Sequence, residues 1–76
     1  MPTMEALQKL SAIDRHAIEH LRDAYQKSED TIERVILKAQ ASGYINCLYA
    51  NNIVTKEEHD LLYGYVKGEY DNAEIH

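Results

Sequence analysis

The sequence predicts an all-α fold: an antiparallel hairpin of two long helices plus a shorter third helix, with no strand, completed by oligomerisation. Three observations predict it. Apolar residues recur at helical spacing through most of the chain. The breaks between the periodic stretches carry helix-capping residues rather than strand or hairpin-turn signals. The middle stretch, VILKAQASGYINCLYA at 35–50, is apolar on two sides, which a helix packed on a single core does not need.

The first helix is expected over about residues 4–27. Pro2 and Thr3 suit a helix start, with Thr3 as N-cap and Glu5 in the first turn, where the macrodipole favours an acid. Ala6, Leu7, Leu10, Ile13, Ala17, Ile18, Leu21, Ala24 and Tyr25 then form one apolar stripe. Ser11 followed by Asp14 could also open a separate helix; a single helix, kinked near Ser11, is the preferred reading.

The segment KSEDT at 27–31 is the first break. Ser28 or Asp30 can cap the next helix, and a loop this short sets the flanking helices side by side in opposite directions. The second helix is expected over about 29–50. Wound at about 100° per residue, it places Ile32, Val35, Ile36, Ala39, Gly43, Cys47 and Ala50 on one face. Leu37, Ala41, Tyr44 and Leu48 fall on nearly the opposite one. Ala39, Gly43, Asn46, Cys47 and Ala50 are the helix-packing candidates, small enough to let another helix approach closely. A leucine at Gly43 is therefore expected to overpack that face.

Asn51 and Asn52 end this helix, because asparagine tolerates the left-handed conformation that terminates helices. Thr55 to Glu58, TKEE, has the spacing of a capping box and is the strongest local signal in the chain. The third helix is expected over about 56–68, turning Leu61, Leu62, Tyr65, Val66 and Tyr70 inward, with Gly64 and Gly68 weakening its second half. The tail at 71–76 is expected to be loose. The first helix should cover one face of the second, and the third helix part of the other.

Seventy-six residues make one small domain, and chains of this size commonly need a disulfide, a metal or a partner chain for stability. Cys47 is the single cysteine, so an internal disulfide is impossible and a homodimer is the favoured aid. The first ten residues hold no apolar signal-peptide core, and no apolar run approaches a membrane span. The expectation is a cytoplasmic protein. With 13 Asp plus Glu against 8 Lys plus Arg, the net charge is −5, and the cations are scattered singly rather than gathered into the basic patch that a nucleic-acid binder shows.

Four features could carry chemistry. His16 to His20, HAIEH, fits the H-x-x-E-H pattern of inverted zinc peptidases. A third protein ligand and a cleft are not in sight, so His16 and His20 are weak metal candidates and no cofactor is expected. Cys47 sits among small residues, which points to packing rather than to a reactive thiol. The six tyrosines are the only aromatics, and tyrosine is enriched at protein interfaces. Leu37, Tyr44, Leu48, Tyr49, Tyr63 and Tyr65 are the interface candidates. Finally, the acids at 57–60 and 69–74 could imitate a phosphate backbone. The expected function is a non-enzymatic protein–protein interaction module, an adaptor or inhibitor docking through a helical tyrosine-bearing surface. The alternatives are an acidic decoy blocking a nucleic-acid-processing enzyme and a metal-binding protein using His16 and His20.

Overall fold

The computed structural model describes residues 2–69, in which four helices and no strand occur. They are α1 (Pro2–Lys9), α2 (Ala12–Lys27), α3 (Thr31–Ala50) and α4 (Lys56–Val66). Tyr70 and the tail at 71–76 lie outside the described residues. Among the described residues, no helix is long and apolar enough to cross a membrane.

The expected first helix is two helices. The chain tightens at Leu10, whose N–H donates to the Leu7 carbonyl over 3.1 Å. It then turns at Ser11, which is extended (φ −61°, ψ 160°) and accepts the Asp14 N–H at its hydroxyl. Serine competes for backbone donors better as a cap than inside a helix, so the capping geometry wins over a continuous stripe. The break resets the angular phase. Ile13, expected in the apolar stripe, falls in the first turn of α2 and is 80% exposed. Pro2 is the first helical residue, where its missing N–H costs nothing, and Thr3 is a buried residue of α1 rather than its cap.

The other boundaries match their caps. Asp30 accepts the Ile32 N–H at 2.9 Å and opens α3. At the far end, Ile53 N–H reaches the Leu48 carbonyl and Asn52 N–H the Tyr49 carbonyl, with Asn52 at φ 61°; this is a Schellman motif with asparagine in the left-handed position. Thr55 and Glu58 close a full capping box on α4. A second Schellman motif, Glu69 to Gly64 and Gly68 to Tyr65, stops α4 at Val66, two residues short of the expected 68. Gly68 takes φ 78° there, a conformation that glycine adopts without strain.

The core joins Ala6, Leu7 and Leu10 of α1 and its exit to Ile18 of α2, Ala41, Ile45 and Leu48 of α3, Val54 of the connector, and Leu62 and Val66 of α4. The element shared by the rest is α4, which packs on α1, α2 and α3, while α3 also packs on α2. An ion pair ties α1 to the start of α4, with Lys9 Nζ 2.7 Å from Glu58 Oε1. The expectation that the first and third helices cover opposite faces of the second is overturned. Both α2 and α4 meet α3 on one side, along Leu37, Ala41, Tyr44, Ile45 and Leu48, and the reverse side faces solvent.

Candidate docking face

On the reverse side of α3, Ile32 is 71% exposed, Val35 57% and Ile36 53%. Ala39, Gly43, Asn46, Cys47 and Ala50 continue the line and are also exposed. The packing residues named from the sequence thus share a face, and only Asn46, at its edge, is met by another helix of the chain, through His59 of α4. Nothing lies within 4 Å of where a Cβ on Gly43 would sit, so the expected overpacking by leucine at that position does not arise within the chain. Asn46 has partners although exposed: Ser42 at 3.3 Å, and the ring of His59, which also lies 2.9 Å from Asp60 and 5.7 Å from the Tyr49 ring.

This face has a graded shape. Branched residues fill its N-terminal half, and small ones its C-terminal half. Alanine throughout would have been more helical than the branched residues or Gly43, so the gradient is a property of this sequence rather than a requirement of the helix. Across the whole line there is no Asp, Glu, Lys or Arg.

Beside the small half lies a cleft of about 270 Å³ lined by Asp14, Tyr44, Cys47, Leu48, Asn51 and Ile53. The cap at Ser11 sets Asp14 at its rim. There Tyr44 donates its hydroxyl to Asp14 Oδ1 at 2.6 Å. That hydrogen bond to a carboxylate, with burial and the carboxylate's charge behind it, pushes the phenol up to about 12. Asn51 turns its amide back on α3, donating to the Cys47 carbonyl at 2.8 Å and approaching Cys47 Sγ at 3.4 Å. Exposed Ile53 adds apolar surface to the cleft.

The interface candidates are placed differently from their expectation. Leu48 is in the core; Leu37, Tyr44, Tyr63 and Tyr65 are half buried, with the three tyrosines packed against the core. Arg22 lies over the Tyr65 ring at 4.7 Å and Lys67 over Tyr63 at 4.4 Å, cation–π contacts that occupy one face of each ring. Tyr49 alone of the set is an exposed large residue, at 44%. His16 and His20 share the exposed side of α2, and the described residues hold no group of three or more His, Cys, Asp or Glu arranged to take a metal. No protein-family model matches the chain, and no curated protein or solved structure matches it.

Proposed function

We propose that this chain is a non-enzymatic protein–protein interaction module, an adaptor or inhibitor, and that it docks through the outer face of α3. The observation that carries the reading is the uncharged line from Ile32 to Ala50, with its three branched residues more than half exposed. Large contiguous apolar patches on small proteins mark binding surfaces, and depletion of charge at the centre with polar residues at the edge is the composition of interface cores. On this reading the antiparallel hairpin of α2 and α3 is the docking unit, a partner chain completes the covering of α3, and Cys47 remains a thiol in the cytoplasm.

The test is capture of proteins from a lysate on the immobilised chain, compared with Val35→Glu, at low and high salt. Apolar docking persists at high salt and is lost in the variant. Binding that instead collapses with salt and ignores Val35 is screened charge attraction; it would replace this reading with that of an acidic decoy for a nucleic-acid-binding protein.

A further inference from the structure

We infer that the occupant of the α3 face is a second copy of this chain, paired α3 on α3 in opposite directions about a two-fold axis at the level of Ala41. The inference rests on the docking reading and names its partner.

The graded shape makes the face complementary to itself in one direction only. With the axis at Ala41, Ile32 of one copy stands at the level of Ala50 of the other, Val35 at Cys47, Ile36 at Asn46 and Ala39 at Gly43. Ile32 and Val35 each meet a small residue, Ile36 meets the edge formed by Asn46 and His59, and two-fold symmetry makes every contact twice. Ala39 and Gly43 straddle the crossing point, where their size allows the close interaxial distance of tightly packed helices. The same arrangement brings Val35 of the second copy to the mouth of the cleft beside Cys47, whose volume of about 270 Å³ has room for a branched side chain. Pairing in the same direction sets isoleucine on isoleucine at one end and leaves the small half and the cleft unfilled.

Charge selects the same direction. Glu29, Asp30 and Glu33 outnumber the cations Lys27, which pairs with Asp23, and Arg34 at the exposed N-terminal end of α3. Parallel pairing would press the two acidic ends together. Opposite pairing separates them by roughly the 27 Å that 18 residues of helix span, several times the screening length at physiological salt.

The area fits a weak, reversible dimer. A strip about 27 Å long and one helix wide amounts to on the order of 300 Å² per copy. Specific interfaces bury upward of about 600 Å² per partner at their low end, so the dimer should dissociate readily on dilution.

Sedimentation of the full chain over a wide concentration range reads the oligomeric state, and two cysteine variants read the direction. The expected result is a monomer–dimer equilibrium whose dissociation constant rises about tenfold or more in Ile36→Glu, with an unchanged helical spectrum. In a Cys47→Ser background, Ala39→Cys combined with Gly43→Cys should form disulfide-linked dimers under mild oxidation. Native Cys47 should not, because the two Cys47 stand about 18 Å apart along the axis, beyond disulfide reach. A monomer at every concentration overturns the inference and leaves the docking reading to the capture experiment. A dimer linked through Cys47, or one indifferent to Ile36→Glu, overturns it too.

Discussion

The hydroxyl of Tyr44 and the carboxylate of Asp14 meet at 2.6 Å and join the end of α3 to the first turn of α2. Thirty residues separate them in sequence, so the bond fixes the mutual position of two elements that the cleft depends on. Tyr44→Phe removes the donor and keeps the ring. Melting should reveal a loss of about 1.5–3 kcal/mol, the range for a bond to a charged acceptor. The pH dependence has a definite sign. A phenol raised in the folded state to about 12 stabilises fully below its ordinary value and loses that contribution as pH climbs through the folded value. The advantage of wild type over Tyr44→Phe should therefore shrink between pH 10 and 12.

Glu58 serves two helices with one oxygen. Its Oε1 accepts the Thr55 N–H at 2.8 Å and the Lys9 ammonium at 2.7 Å. Lys9 first, and the backbone of Thr55 second, hold its carboxyl below the usual glutamate range. A depressed carboxyl contributes stability above its unfolded value and gives it up as pH falls through the folded one. Glu58→Gln should flatten the acid limb of the stability profile and cost about 1 kcal/mol at neutral pH, the typical worth of a cap. Lys9→Met should reproduce part of the flattening and leave the Thr55 cap in place.

Two glycines of the chain should respond in opposite directions to alanine. At Gly43 a methyl group meets nothing within 4 Å, and the exchange removes a helix-interior glycine, so Gly43→Ala should stabilise the single chain by about 1 kcal/mol. At Gly68 the backbone sits at φ 78° with Gln26 Nε2 3.1 Å from the added carbon; Gly68→Ala should destabilise by roughly 1 kcal/mol or more, because it strains the Schellman turn. Thermal melts of the two variants at low concentration separate the effects.

Local chemistry was the legible part of this fold. The capping box at Thr55, the cap at Asp30 and the asparagine stop after α3 are short-range signals, and each stands where its residues sit. Long-range pairing was not legible. Nothing in the spacing of Ala6, Leu7 and Leu10 says that they pack on α4, since any apolar face would accept them. Periodicity alone also failed to rank the two apolar sides of α3. The spacing of Ala41, Ile45 and Leu48, four and then three residues apart, marks one stripe, and Ile45, absent from the expected faces, is fully buried within it. The candidate site was legible as a set of residues, Ala39 to Ala50, but its exposure was not, because exposure depends on where α2 and α4 lie.

The two sides of α3 can be told apart by a matched pair of truncations. Ile45 is fully buried between Ala41 and Leu48, in a core completed by Leu62 and Val66 of α4. Ile36, nine residues earlier on the same helix, is 53% exposed. Ile45→Ala leaves a cavity as well as losing the transfer energy of the removed atoms, and should cost about 2–5 kcal/mol, a large share of the roughly 5–15 kcal/mol that holds a small domain together. Ile36→Ala removes the same atoms from a surface already half in water and gains helix propensity. Its effect on the melting of the dilute chain should stay within about 0.5 kcal/mol. Denaturant unfolding at low concentration reads both. Equal losses would mean that the outer face is covered within a single chain, and the placement of α2 and α4 on the opposite side would then be wrong.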